Sequence, residues 1–231
     1  MVEVDNVSKN FGKQQVLYDI TFSLAKGEIV ALLGANGAGK TTTMNIIAGI
    51  LHADNGNVVI DGLTIEDNPA EYKSKIGYLP ENNPLYEDMY VREYLEYVAG
   101  IYGKKERKNR VSEIIECVDL TNEYKKKIGT LSHGNKQRVG LAQALIHDPE
   151  ILILDEPSTG LDPMQQSKIN NLVQELGKTK AVLFSSHRLD DVSLIATRYL
   201  ILREGRLLMD SPAGDVESIK EHFFQFNENN S

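Results

Sequence analysis

Nine residues, Gly34-Ala-Asn-Gly-Ala-Gly-Lys-Thr-Thr42, set three glycines, a lysine and two hydroxyls in the spacing G-x-x-x-x-G-K-[ST]. That pattern suits phosphate. Gly34, Gly37 and Gly39 let the backbone curl until successive N–H groups converge on one anion. Lys40 adds a mobile cation for the β- and γ-phosphates, and the Thr41 hydroxyl is placed to ligate Mg²⁺. The flanks are those this chemistry needs. Glu28-Ile-Val-Ala-Leu-Leu33 reads as a buried strand, and Met44, Ile46, Ile47, Ile50 and Leu51 read as one helix face. The helix start offers its dipole to the same charge. A glycine-rich turn that binds nothing would need neither neighbour, so the segment implies a nucleoside triphosphate site.

Residues 151–157, Ile-Leu-Ile-Leu-Asp-Glu-Pro, place four aliphatics ahead of two acids. A continuous aliphatic run is what a strand buried on both faces of a parallel sheet requires. Carboxylates at its C-terminal end fall where open α/β sheets hold their ligands. An unpaired buried charge is too costly for these acids to be packing residues. Asp155 is expected to hold Mg²⁺ through a water or hydroxyl, and Glu156 to polarise an attacking water. An ordinary strand end with a solvated acidic turn would look similar in isolation; the phosphate loop argues against it.

Between these motifs stands Leu131-Ser-His-Gly-Asn-Lys-Gln-Arg138, which resembles the signature sequence of ATP-binding cassette (ABC) proteins, written LSGGQ-x-QR. The resemblance covers almost the whole chain. Phe11 lies upstream of the loop, where the family stacks an aromatic on adenine, with Val16 among the nucleotide-binding positions. Ser158-Thr-Gly-Leu-Asp162 matches the D-loop, and His187, after Ala181-Val-Leu-Phe-Ser-Ser, matches the switch histidine. The resemblance implies ATP and Mg²⁺ held at Phe11, Val16, Gly34, Asn36, Gly37, Ala38, Gly39, Lys40, Thr41 and Thr42. Ser132, Gly134 and Asp162 would come from a second copy, with Glu156, His187 and Lys40 catalytic and Thr41, Asp155 and Glu81 at the metal.

Two positions of the signature depart from the pattern: His133 replaces its first glycine and Asn135 its glutamine. Ser132 and Gly134, expected to face the γ-phosphate, are kept. Glu81, in Ile76-Gly-Tyr-Leu-Pro-Glu81, stands where the family has the Q-loop glutamine. A carboxylate accepts from a metal-bound water but does not donate as an amide does. Glu81 and the stretch from Arg138 to Pro149 are similar to exporters of the ABC-2 type, especially ATPase subunits associated with gliding motility, drug efflux and sodium efflux.

These motifs need a scaffold, and the composition supplies one. The chain has 231 residues, 41% of them hydrophobic, ample for one large core or two lobes. The longest apolar runs are strand-length, so no membrane span is expected. Met1-Val-Glu-Val-Asp lacks the basic start and apolar centre of a signal peptide, and the single cysteine, Cys117, fits a reducing compartment. The expectation is a cytoplasmic protein, peripheral on the inner face of the cell membrane. Ile114, Ile115 and Val118 around Cys117 suggest a packing role for it. A net charge of −8 argues against nucleic acid as a partner. The local basic runs Lys104–Arg110 and Lys125–Lys127 read as solvated faces, or as surfaces near anionic headgroups.

Organisation along the chain implies an α/β fold: a P-loop NTPase core with a mostly parallel sheet, an N-terminal antiparallel β subdomain and an inserted helical subdomain. Residues 1–30 alternate like strands joined by turns, and Val58-Val-Ile60 is a strand bracketed by the turns Asp54-Asn-Gly56 and Asp61-Gly62. Helical periodicity covers 91–102, 106–118 and 135–147. Strands at 151–154, 181–185 and 199–202 alternate with helices near 163–176 and 188–195, which implies parallel pairing. The β subdomain and P-loop core take about 1–80 and 148–215, and the helical subdomain about 82–147. The tail, 216–231, is expected to follow a short helix that starts at about Ser211 and to fade into disorder at Asn227-Glu-Asn-Asn-Ser231. Tyr90, Tyr94, Tyr97 and Ile101 share one helical face. That stripe is either core or a docking groove, and in the family this region receives a short helix of the membrane subunit.

The reading is the ATP-hydrolysing subunit of a transporter. Its membrane-spanning permease is a separate chain, its direction export, and its ATP-bound state a head-to-tail homodimer. A soluble ABC ATPase acting on DNA or ribosomes is the first rival, but neither a long coiled coil between the motifs nor a second cassette is present. An occupancy regulator that barely hydrolyses is the second, and Glu156 and His187 count against it. Lys40→Ala is expected to abolish ATP binding in an equilibrium titration, because it removes the cation that faces the phosphate oxygens.

Overall fold

The computed structural model describes residues 1–103 and 107–213, except the side chains of Asp190 and Asp191. In chain order its elements are β1 (Val2–Phe11), β2 (Gln14–Leu24), β3 (Ile29–Leu33), α1 (Lys40–Ile47), β4 (Asn55–Ile60), α2 (Pro69–Ser74), β5 (Ile76–Leu79), α3 (Val91–Ile101) and α4 (Arg107–Cys117). After a 3₁₀ turn at Ile128–Thr130 come α5 (His133–Leu145), β6 (Ile151–Leu154), α6 (Pro163–Gly177), β7 (Ala181–Ser186), α7 (Leu189–Val192), β8 (Arg198–Arg203) and β9 (Arg206–Pro212). Among the described residues no helix is long and apolar enough to cross a membrane.

A three-stranded antiparallel sheet, β2-β1-β4, faces a six-stranded sheet in the order β5-β6-β7-β3-β8-β9. The larger sheet is parallel except for β9, which returns antiparallel to β8. All of β3, β6 and β7 is buried, which explains their near-unbroken apolar sequences. Their side chains divide by period two between two cores. Ile29, Ala31 and Leu33 join the core under α3, α4, α5 and α6, while Val30 and Leu32 join the core shared with β1, β2 and α1.

Several sequence expectations shift. The helix after the phosphate loop ends at Ile47, and Gly49 takes a left-handed φ of +65°. Ile50, expected on its buried face, is therefore exposed. Asn55 and Gly56, read as turn, belong to β4; Gly56 is needed because a Cβ there would stand 2.3 Å from the Asp5 carbonyl oxygen. Ser211 and Pro212, read as the start of a tail helix, close β9 opposite Tyr199 and Arg198. The rest of that tail, with Lys104, Lys105 and Glu106, lies outside the described residues. Cys117 is exposed, because Val111, Ile114, Ile115 and Val118 take the inward arc of the chain here. Arg110 is more than a solvated charge: its guanidinium donates to the Ile146 and Leu145 carbonyls at 3.1 and 2.9 Å, capping the end of α5.

The tyrosine stripe splits. Tyr94 is 4% exposed, and its hydroxyl donates to Gln143, while Tyr97 is 50% exposed. Burial pushes the Tyr94 hydroxyl up to about 12, with Tyr86 and Tyr97 adding to the shift. Tyr94→Ala is expected to cost about 3–5 kcal/mol of stability, as large-to-small core changes do, and Tyr97→Ala at most about 0.5 kcal/mol. Urea unfolding of the two variants measures the difference.

Candidate active site

Three adjacent strands of the large sheet, β6-β7-β3, bring the chemistry together at their C-terminal ends. Leu33 pairs with Ser186, and Leu154 with Phe184, so the loops after each strand emerge side by side.

The loop after β3 curls through Gly37 at φ +80° and Gly39 at φ +106°, values that side-chain-bearing residues rarely adopt. Gly39 also lies against β2, where a Cβ would stand 2.6 Å from Leu17 Cδ2 and 3.5 Å from the Val16 carbonyl oxygen. Val16 thus borders the loop, and Phe11 ends β1 with its ring half exposed and Lys9 Nζ 5.9 Å from the centroid. No side chain caps the N-terminus of α1, which leaves its amides for an anion. Lys40 is buried and donates to the carbonyls of Gly34 at 2.8 Å and Ala35 at 3.3 Å. Asn36, Gly37 and Thr41 are exposed, Thr42 half-buried, and Ala38 buried.

Asp155 is fully buried at the end of β6, and Ser185 Oγ donates to its Oδ1 at 2.5 Å. Its Oδ2 has no hydrogen-bond partner among the described residues. A buried carboxylate oxygen left this way is costly unless a cation or its water completes it, so the donor chemistry fits Mg²⁺. Glu81 is exposed in the loop after β5. Burial raises the pKa of the Tyr78 hydroxyl, and the charges of Asp155 and then Glu81 raise it further, so both carboxylates act on one hydroxyl. Among the described residues no three acidic, histidine or cysteine side chains form a metal cluster. A cation here would need phosphate and water ligands as well.

Glu156 adopts a positive φ of +50°, a strained conformation that turns the chain out of the sheet. Its amide donates to Ser185 Oγ at 2.8 Å. Its carboxylate is held from three sides: His187 Nδ1 at 3.0 and 3.1 Å, Thr159 Oγ1 at 3.0 Å, and Lys40 Nζ at 3.7 Å. A carboxylate only accepts, so Nδ1 carries the proton in the His187 bond. Lys40 at the start of α1, and Glu156 and His187 just beyond β6 and β7, are thus one cluster.

Ser132, Gly134 and Asp162 form a second group at the starts of α5 and α6. Ser132 Oγ accepts from the Asn135 amide at 3.3 Å as the N-cap of α5. Asp162 is committed to its own chain as the N-cap of α6, accepting from the Met164 and Gln165 amides at 3.0 Å. Gly134 faces α6 so closely that a Cβ would sit 1.6 Å from Gln165 Oε1. Two residues went unread in the sequence. Ser185 had one signal, a hydroxyl ending an aliphatic strand; Thr159, three residues after Glu156, had only its turn position.

Fold and site together define a P-loop ATPase with a helical lobe between its phosphate loop and its acidic strand. A family model described as ABC transporter matches residues 17–159, and the chain belongs to that family. It is 38% identical over 211 residues to the linearmycin resistance ATP-binding protein LnrL of Bacillus subtilis, covering 90% of this chain and 68% of that one. It is 34% identical over 228 residues to the bacitracin transport ATP-binding protein BcrA of Bacillus licheniformis, covering 98% and 74%. Among solved structures it resembles a dimeric post-hydrolysis state of an ATP-binding cassette bound to ADP and Pi, with TM-score 0.84, 27% identity and coverage of 92% and 99%. The chain is an ATP-binding and ATP-hydrolysing subunit of an ABC transporter.

Ser185→Ala removes the hydroxyl that serves Asp155 and the Glu156 amide together. It is expected to lower kcat by roughly ten- to a hundredfold, with a loss of about 1–3 kcal/mol of stability from the two unpaired buried groups. Steady-state ATPase assays and thermal unfolding measure the two effects.

Proposed function

We propose that two copies of this chain close head-to-tail around two ATP molecules and drive export through a separate permease on the inner face of the cell membrane. The observation that carries the chemistry is the Glu156 carboxylate, held by His187, Thr159 and Lys40 beside the phosphate loop. Phe11 and Val16 bind the base, and Gly34 to Thr42 bind the phosphates. Lys40 exchanges its two loop carbonyls for the β- and γ-phosphate oxygens. Glu156 accepts the proton of the attacking water; a carboxylate has about four acceptor sites, enough to keep its present partners. His187 orients Glu156 by donating Nδ1–H to its carboxylate. Thr41, Asp155 and Glu81 would hold Mg²⁺, which supplies charge neutralisation of the phosphates when bound. Ser132 and Gly134 of the second copy, with the turn at Asp162, close each site. Spreading charge is then met by fixed donors, the main source of catalysis in phosphoryl transfer.

The permease contact falls on the helical lobe. Ile50, Tyr86, Tyr97, Ile101, Tyr102 and His147 border a groove of about 410 Å³. Of these, Ile50 is 60% exposed and Ile101 66%, a grouping of apolar side chains that marks an interaction surface. The groove suits an amphipathic helix of the membrane subunit.

Glu156→Gln keeps shape and a hydrogen bond but removes the charge that takes the proton. ATP binding is expected to persist while turnover falls roughly 10²- to 10⁴-fold. Unhydrolysed ATP should then hold two copies together, with dimer in ATP and monomer in ADP by light scattering. Hydrolysis near the wild-type rate would remove Glu156 as the base, and monomer at saturating ATP would remove the sandwich.

A further inference from the structure

His133, the departure from the family signature, has a specific partner. Its Nε2 lies 3.2 Å from the Thr159 carbonyl oxygen. A carbonyl only accepts, so Nε2 carries the proton of this bond. The imidazole reaches it by passing over Gly160, which has φ +73° and where a Cβ would stand 3.2 Å from Nε2. Thr159 is also the residue whose hydroxyl donates to Glu156 Oε2 at 3.0 Å and whose amide donates to the Glu156 carbonyl at 3.2 Å. One residue therefore joins His133 to the carboxylate at the centre of the site. Beside this bond, Gly134 is closed against Gln165 in the first turn of α6.

We propose that His133 is a positioning residue for hydrolysis. By fixing Thr159 it holds the Glu156 carboxylate in the orientation that accepts the proton of water. The inference rests on Glu156 being the base. It adds a path along this chain's own residues, from a signature segment to a base some distance away in sequence. Ser132 and Gly134 flank His133, so when they engage the nucleotide of a facing copy, the displacement of His133 passes through Thr159 to Glu156. A glycine at position 133 has no side chain with which to make this link.

Such a role predicts a change in kcat without a change in ATP binding, because His133 touches no part of the phosphate loop. In the purified full chain, His133→Leu is expected to lower kcat about fivefold, the factor one neutral hydrogen bond is worth, with KM for ATP unchanged. His133→Gln, which restores an N–H donor, should recover most of the loss. His133→Gly should match His133→Leu, which separates the missing donor from any effect of the leucine. In a Thr159→Ala background, where the link to the Glu156 carboxylate is already cut, His133→Leu should have no further effect on kcat. Circular dichroism checks that each variant folds, as expected for an exposed position. An unchanged kcat in both His133→Leu and His133→Gly would overturn the proposal, as would a rise in KM alone, or additive losses in the Thr159→Ala background. Those outcomes leave the Glu156→Gln result standing, so failure of the relay and failure of the base are read separately.

Discussion

Ser185 Oγ has one proton, which it gives to Asp155 while accepting the amide proton of Glu156. It serves both because β6 and β7 run parallel and adjacent, with Leu154 opposite Phe184, so the end of one strand lies beside the first residues beyond the other. The same arrangement places β3 on the far side of β7, and with it the phosphate loop. A slip of one residue in either pairing would send Ser185 to the opposite face of the sheet. The two acids would then lose their shared partner, and a buried carboxylate without one is not tolerated. Registration of the central strands is therefore fixed by packing and required by the polar site together.

The cluster at that edge combines strain with incomplete pairing. Glu156 is held at positive φ, Asp155 keeps one buried oxygen without a hydrogen bond, and Lys40 is turned back on the carbonyls of its own loop. The last two are unfavourable or provisional in the chain alone, and in the proposed site a phosphate and its cation would relieve them. Lys40 would gain acceptors of full charge, and Asp155 a positively charged neighbour. The surrounding aliphatic strands keep the geometry from relaxing in the meantime, as a close-packed interior does. Backbone strain at Glu156 beside an unpaired buried oxygen of Asp155 marks this edge as the working part of the molecule.

The helical lobe divides its residues between holding itself together and presenting a surface. Tyr94, Leu95, Val98 and Ala99 of α3 are buried with Val111, Ile114 and Ile115 of α4, while Tyr97 and Ile101 face outward. Tyr86 touches both groups, edge-on to Tyr94 at 5.8 Å and tilted against Tyr97 at 6.1 Å. An aromatic that rests on a rigid core and exposes its far side presents a firm apolar surface at low entropic cost. The early end of α1 adds Ile50 to that surface from the nucleotide-binding half. The groove thus spans residues contiguous with both the phosphate loop and the helical lobe.

The sequence alone determined the strands of the core, the phosphate loop and the order of the site motifs, because each rests on local rules. Four aliphatics before two acids read as a doubly buried strand end once the phosphate loop stands beside them, and glycines at fixed offsets before Lys40 suit little but phosphate. Periodicity also placed α3, α4 and α5, since their apolar stripes run for two or more turns. It did not separate Tyr94 from Tyr97, which lie three residues apart on one stripe; only the position of α5 decides which of them meets Gln143. β9 was missed although its burial alternates, because its partner β8 is what makes that alternation a strand. The sequence around Ser185, Thr159 and His133 does not say which groups they bond. Parallel pairing of β6 and β7 brings Ser185 to Glu156, 29 residues away. One turn folds Thr159 back on Glu156, 3 residues away. The approach of α5 to the turn before α6 brings His133 to Thr159, 26 residues away. Local chemistry names a side chain; the fold decides what stands opposite it.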